Sequence, residues 1–598
     1  RAGQELAASR GDLIETMASE TGKTIAEGDP EVSEATDFAH YYAEQALLLE
    51  QVDGATFTPF ALTVVTPPWN FPVAIPAGSV LAALAAGSAV IIKPASLSKR
   101  SGAVMVEALW RAGVPKDVLT LVQLGDHKLG QQLVSHPLVD QVILTGGYET
   151  AEMFRSWRPD LRLHAETSGK NTIIVTPSAD FDLAAADVVK SAFGHAGQKC
   201  SAASIVILVG SVAHSQRFLG QLVDSTTSLR VGYPQDAITQ MGPIIEPANG
   251  KLLRALTTLS DGEKWLVEPK KLDDKGQLWS PGIRSNVQPG SEFHLTEYFG
   301  PVLGIMHAKT LAEAIDFQRA IDYGLTSGLH SLDPAELAQW LDGVEAGNLY
   351  VNRGITGAIV QRQPFGGWKR SSVGAGTKAG GPNYLFGLGQ WTPDDAAAAP
   401  EERRLDPSVG SLLSAAKPDL NEEQWNFVHT SALRDAEIWA IEFGIVRDPS
   451  GVGVERNLFR YLPMPVTVRH SPGAPFAELV RVLAAAKLAG SRVHLSSAAP
   501  LPAGLSSELQ SVDVTVETEA EWLARAGRGE LATSRIRLIG GDRTAFAEAT
   551  SGNVDLAVYA SPVTTAGRVE LLPFLHEQAI SITAHRFGNP DELSAGVI

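Results

Sequence analysis

The chain has one cysteine, Cys200, among 598 residues. That excludes an internal disulfide and any metal site built from several thiolates, and it points to a reducing, cytoplasmic setting. Long apolar runs are also missing. The longest, residues 80–92, is too short to span a bilayer and is broken by Gly87 and Ser88. Basic residues are the minority, 49 Lys and Arg against 67 Asp and Glu, for a formal charge of −18. Such a balance disfavours nucleic acid and anionic membranes as partners and suits a handler of small molecules. No G-x-G-x-x-G turn opens a helix; the nearest pattern, residues 374–380, falls in a glycine-rich loop. There is no targeting segment to interpret. Arg1 stands first, and residues 1–21 already have amphipathic spacing, so the chain is expected to be a fragment whose upstream part is missing.

What is present is enough apolar material, 44% of residues, for about three domains. After a helix over 34–49, short β-branched strands at 61–66, 88–93, 119–123 and 141–145 alternate with helices at 78–86, 100–112 and 129–135. That rhythm predicts a parallel α/β sheet with ligands at the carboxyl ends of its strands, where Lys93 and the turn Thr145-Gly146-Gly147 fall. A second α/β run begins at 172–176 and carries Cys200.

Around that cysteine the sequence Phe193-Gly-His-Ala-Gly-Gln-Lys-Cys-Ser201 is small and flexible, a helix running out into a loop. A lone cysteine is commonly a buried structural thiol. Here the glycines leave it approachable and Lys199 is expected to favour the thiolate, so the residue reads as a nucleophile. A cysteine hydrolase using His195 is a competing reading, although neighbours on one flexible loop do not make an orienting dyad.

Five motifs in register then carry a resemblance: Pro68-Trp-Asn-Phe-Pro72, Ile91-Ile-Lys-Pro94, Glu166-Thr-Ser-Gly-Lys-Asn171, Gly197-Gln-Lys-Cys-Ser201 and Glu297-Tyr-Phe-Gly-Pro301. Over about residues 1–390 the chain resembles the aldehyde dehydrogenase superfamily. The segments Gly357-Ala-Ile-Val-Gln-Arg-Gln-Pro-Phe-Gly-Gly367 and Lys378-Ala-Gly-Gly-Pro-Asn-Tyr384 are similar to those of the glutamate-semialdehyde (pyrroline-5-carboxylate) dehydrogenases, especially the module of bifunctional proline utilization A proteins. The resemblance implies an α/β aldehyde dehydrogenase fold: a Rossmann-like NAD domain over 1–165, a catalytic α/β domain over 166–365, and a return segment with the substrate anchor loop over 366–392.

It also implies roles. Cys200 would attack the aldehyde, Asn70 and the Cys200 N–H would hold the oxyanion, and Glu166 would be the general base. Lys93, Ser96, Gly146, Gly147, Glu297, Phe299 and Trp69 would bind NAD. Many relatives carry glutamate where Ser96 stands, and Gly-Ser where Gly146-Gly147 stand, so NADP stays open beside NAD. Phe71 and Phe365 would sandwich the substrate chain. Gly357, Ala358 and Ser201 would take its carboxylate, and Glu34 its ammonium. No metal is implied. FAD would belong only to a proline dehydrogenase domain upstream of this fragment, and a homo-oligomer is expected.

Residues 393–407, rich in Pro, Ala, Asp and Glu, read as a linker. Beyond it, strands at 466–470, 492–496, 535–539, 555–559 and 580–583 repeat the earlier alternation. Residues 483–496 echo 81–93 with Ser496 in the place of Lys93, and no cysteine follows. Residues 408–598 are therefore expected to form a degenerate, non-catalytic Rossmann-like copy kept for packing. Two further readings stay open: a dehydrogenase for another aldehyde such as succinic semialdehyde, and a non-catalytic scaffold fragment.

Overall fold

A computed structural model describes residues 1–394, 400–401 and 403–598. The central part of the linker read at 393–407, residues 395–399 and 402, lies outside the described residues.

A first sheet of six strands runs in the order Ser372–Val373, Arg162–Glu166, Gln141–Thr145, Leu62–Thr66, Ala89–Ile92, Leu119–Leu121, all parallel except the first. The chain order reverses between Leu62–Thr66 and Gln141–Thr145, which makes a crevice at their carboxyl ends. Helix Ala74–Ala86 covers the sheet and is apolar all round, with ten buried positions. It can be so because helix Ile25–Leu49 packs on its other side through Val32, Ala35, Phe38 and Tyr42. That outer helix starts before residue 34 and runs through Pro30. The expected single helix over 1–21 is two, Ala2–Ala8 and Arg10–Thr21.

A second sheet carries the cysteine domain: Asn348–Val351, Thr326–His330, Asn171–Val175, Ala203–Val209, Val302–Ala308 and Gly282–Ser285 are parallel, and Lys264–Val267 closes one edge antiparallel. Its buried run Ile205, Val206, Ile207, Leu208 has the uninterrupted apolar character of a strand covered on both faces. At the other edge the sheet is extended by strands from the tail. Leu575–Thr583 pairs parallel with Asn348–Val351, and Glu455–Pro463 pairs antiparallel with Leu575–Thr583 along nine residues. The strand read at 580–583 as part of the tail's own sheet therefore belongs to the cysteine domain's sheet. A run such as Ala579-Ile-Ser-Ile582 announces a buried strand but not its partner.

The tail's own sheet has five parallel strands, in the order Asp513–Val516, Val493–Ser497, Val466–His470, Arg535–Ile539, Ala557–Tyr559. In chain order this is third, second, first, fourth, fifth, the same winding as the five parallel strands of the first sheet.

Candidate active site

The carboxyl ends of the first sheet and the cysteine-bearing turn face each other across a cavity of about 660 Å³. Thirteen of the residues singled out in the sequence line it: Glu34, Trp69, Asn70, Phe71, Lys93, Ser96, Gly146, Gly147, Glu166, Cys200, Glu297, Phe299 and Phe365. Ser201, Gly357 and Ala358 do not. Ser201 is buried, with its carbonyl accepting from Thr326 Oγ1 at 3.3 Å. Gly357 is exposed at φ +87°, and Ala358 is half-buried beside it. Their loop is tied to the tail: Gln363 Nε2 donates to Asn457 Oδ1 at 2.5 Å and Ser581 Oγ at 3.2 Å.

Helix Phe181–Phe193 ends at a tight turn in which His195, Ala196 and Gly197 all have positive φ, and this turn delivers Cys200 to the cavity. Gly197 tolerates that conformation, and a Cβ there would stand 2.3 Å from the Gly300 carbonyl oxygen. Asn171 pins the far side, donating to the carbonyls of Cys200 at 2.7 Å and Ala202 at 3.0 Å. Burial, then the Glu297 and Glu166 carboxylates, push the thiol up to about 12, while the N–H groups of Ser201 and Cys200 work toward the thiolate. The resting residue is therefore a thiol.

Lys199 does not activate it as the sequence reading expected. Its ammonium pairs with Glu27 at 2.6 Å, and against the penalty of burial Lys199 holds the Glu27 carboxyl down at about 2. The partner comes from helix Ile25–Leu49, so adjacency in sequence was misleading. His195 is no base for Cys200 either. It is buried, its Nε2 has no hydrogen-bond partner among the described residues, and burial and the Lys23 ammonium keep it neutral.

Asn70 sits on the Pro-rich turn after strand Leu62–Thr66. One Nδ2–H donates to the Gln198 carbonyl at 3.1 Å, which fixes the amide and leaves its second N–H for the cavity. Glu166 ends strand Arg162–Glu166 and accepts the Gly367 N–H at 3.0 Å. Burial pushes it up to about 8, against Lys378 and that N–H. A carboxylate so poised can take a proton near neutral pH.

Beside the Gly146-Gly147 turn, helix Tyr148–Trp157 starts at Gly147 with no side-chain cap; Thr150 N–H donates back to the Gly147 carbonyl at 3.0 Å, and the N–H groups of Tyr148 and Glu149 remain for an anion. Lys93 follows strand Ala89–Ile92, and burial with nearby Lys99 lowers its pKa. Glu297 accepts the Gly169 N–H at 2.9 Å, and burial raises its carboxyl. The Phe299 ring stands edge-on to Trp69 at 5.8 Å.

Sequence reasoning missed Glu31 and Lys23. Both side chains are fully buried and pair at 2.5 Å. Glu31 also accepts the N–H groups of Val73 at 2.8 Å and Ala74 at 3.1 Å, and Lys23 lies 4.1 Å over the Phe71 ring. The pair thus holds the turn that presents Asn70 and Phe71. Glu31→Ala should lower stability by about 3–5 kcal/mol because it strands a buried ammonium; chemical denaturation showing a loss under about 1 kcal/mol would contradict this role. Lys378 was read only as part of a motif. It is buried, donates to Asn348 Oδ1 at 2.9 Å and to the Gly366 carbonyl, and faces Glu166 across Gly366. Among the described residues no cluster of His, Cys, Asp or Glu is placed to hold a metal, and no helix is long and apolar enough to cross a membrane.

A doubly wound nucleotide-type sheet facing a second α/β domain, with one thiol, one fixed carboxamide and three glutamates around their shared cavity, defines a cysteine-dependent α/β enzyme. Residues 1–388 match the aldehyde dehydrogenase family, and the chain belongs to that family. It is 38% identical over 389 residues to a 1-pyrroline-5-carboxylate dehydrogenase of Geobacillus sp. (strain WCH70), covering 62% of this chain and 75% of the relative. A Bacillus subtilis (strain 168) protein of the same name is 35% identical over 389 residues with the same coverage. Among solved structures, proline utilization A from Corynebacterium freiburgense is 49% identical, with a TM-score of 0.86 over 98% of this chain. The chain spans 57% of that protein's length. A Thermus 1-pyrroline-5-carboxylate dehydrogenase with bound NAD is 33% identical, with a TM-score of 0.60, covering 66% of this chain and 79% of the other.

Proposed function

We propose that the chain oxidises L-glutamate γ-semialdehyde, formed by opening of 1-pyrroline-5-carboxylate, to L-glutamate with NAD. The observation that carries this reading is the gathering of Cys200, Asn70, Glu166 and Glu297 on one cavity that also holds Glu34. Lys93, Ser96, Gly146, Gly147, Trp69, Glu297 and Phe299 would hold the dinucleotide, the uncapped helix N-terminus suiting its phosphates. When bound, NAD supplies the acceptor for the aldehyde hydrogen as hydride.

The residues of the chain do the rest. Cys200 Sγ gives up its proton to solvent water as it bonds to the aldehyde carbon, and the oxyanion that forms is met by Asn70 Nδ2 and the Cys200 N–H, a donor pair of which one member is typically worth about 3–4 kcal/mol of barrier. After hydride departs, a thioester remains on Cys200. Glu166 takes a proton from water as it attacks, the C–S bond breaks, and that proton passes to the leaving sulfur, so the thiol returns. Phe71 and Phe365 flank the short aliphatic chain. Glu34 faces its ammonium; burial, then Glu31, raise the Glu34 carboxyl to about 8, so part of the attraction to an incoming cation is spent in ionising it. Ser201, Gly357 and Ala358 are assigned the substrate carboxylate on resemblance alone.

Absorbance of NADH tests the assignment. The pyrroline carboxylate should exceed succinic semialdehyde in kcat/KM by at least about tenfold. Glu34→Gln should raise KM for the former about tenfold, one ion pair's worth, and leave the latter unmoved. Equal loss on both aldehydes would place Glu34 outside the ammonium site. Running NAD against NADP in the same assay decides whether Ser96 admits the 2′-phosphate. The proline utilization A likeness supports a proline dehydrogenase domain in the full-length protein; FAD on that domain, a cytoplasmic location and a homo-oligomer are proposed on the sequence resemblance alone.

A further inference from the structure

Where the tail meets the edge of the first sheet lies a separate cavity of about 260 Å³. Arg155 reaches it from helix Tyr148–Trp157, Arg162 from strand Arg162–Glu166, and Arg543 from the tail helix Arg543–Ala549. Among the described residues, none of these three guanidinium groups stands within ion-pair distance of a carboxylate. Asp160 pairs at 3.2 Å with Arg158, and its charge, with that of Asp140 toward Arg162, offsets the three cations only from beyond ion-pair distance. Arg155 is only 6% exposed, and its Nε has no partner among the described residues; Nη1 donates to the Pro159 carbonyl at 3.3 Å. Arg543 donates to the Asp160 backbone carbonyl at 2.6 Å. The Arg162 guanidinium donates no hydrogen bond among the described residues and lies 5.1 Å over the Phe60 ring.

Three cations converging on a shielded space repel one another, and charge is costly in such a place unless it is compensated. Protonation shows the crowding. Burial, then Arg162 and Arg155, push Arg543 down to about 10, and burial takes Arg155 to about 10 as well. His164, on the same cavity, is lowered to about 4 by burial and then by Arg155, Arg543 and Arg162, so it adds no charge of its own. Planar guanidinium forks are the side chains best matched to oxyanions.

We propose that this junction binds a small dianionic oxyanion, phosphate or dicarboxylate, held jointly by Arg155, Arg162 and Arg543. Because Arg543 comes from the tail and the other two from the first domain, the bound anion clamps one to the other. The site is distinct from the catalytic cavity and does not depend on the substrate proposed above.

Thermal melting of the whole chain tests this, with inorganic phosphate and succinate as probes and chloride at matched ionic strength as the reference. Well above the dissociation constant, one or both probes should raise the melting temperature by about 2 °C or more. Response to phosphate alone, or to succinate alone, identifies the source of the oxyanion. In Arg162→Gln and Arg543→Gln the rise should vanish while NADH formation at saturating substrate stays at the parent value. In chloride, Arg162→Gln should fold and melt cooperatively, since it breaks no hydrogen bond or ion pair among the described residues and gives up only the contact with the Phe60 ring and the distant pull of Asp140 and Asp160. No rise with either probe, or a rise that survives in both variants, would each overturn the site.

Discussion

Replacing Cys200 by alanine is expected to lower kcat/KM for NADH formation by about 10⁴-fold or more, the scale at which loss of a nucleophile is felt. The structure offers no substitute: the chain has no second thiol, and the neighbouring Lys199 is engaged by Glu27. Fold and dinucleotide binding should persist, because the turn is held by the Asn171 bonds to backbone carbonyls rather than by the sulfur. A second readout follows from the resting thiol. With the group pushed up to about 12, alkylation of the free chain should be slow at neutral pH. Substantial turnover by Cys200→Ala would rule out covalent capture of the aldehyde by this sulfur.

Glu166→Gln should separate the two halves of the reaction. Hydride transfer needs no general base at this position, so the first turnover should release about one NADH per site as a burst. Hydrolysis of the thioester should then slow by about 10²–10⁴-fold. Only the ionised carboxylate accepts a proton, and burial has pushed it up to about 8, so steady-state turnover should climb with pH through that value in the parent and lose the step in the variant. The same shift has a sign for stability. The carboxyl is less acidic folded, at about 8, than at its ordinary value of 4.5, so its contribution favours the fold below 4.5 and is lost as pH rises through 8. Linear NADH traces without a burst in Glu166→Gln would show that the base acts before hydride transfer.

The site was legible in the sequence wherever one motif carries one role. Asn70, Lys93, Glu166, Cys200 and Glu297 each lie in a short conspicuous string, and all five face one cavity. What the sequence withheld was pairing between distant segments. Lys199 looks like an activator until Glu27 claims it from an earlier helix, and Glu31 is an unremarkable helical acid until it is found buried on Lys23. Helix register separates Glu31, turned toward the Val73 and Ala74 amides, from Glu34, which lines the cavity. The alternation of strands and helices placed four of the six strands of the first sheet and four of the five of the tail sheet; Arg162–Glu166, Ser372–Val373 and Asp513–Val516 were not read. It could not say that Leu575–Thr583 would leave the tail, because a buried β-branched run fits any sheet edge of matching length.

That departure bears on how the molecule comes together. Asn348–Val351 finds its outer neighbour only in Leu575–Thr583, which is bordered in turn by Glu455–Pro463, so the cysteine domain cannot be finished while the intervening chain is still emerging from the ribosome. Until then it presents an unsatisfied row of amides and carbonyls, the kind of border that recruits foreign strands. Ordering of this domain should therefore be a late, slow event of high contact order, and chains cut short before Leu575 should gather into aggregates.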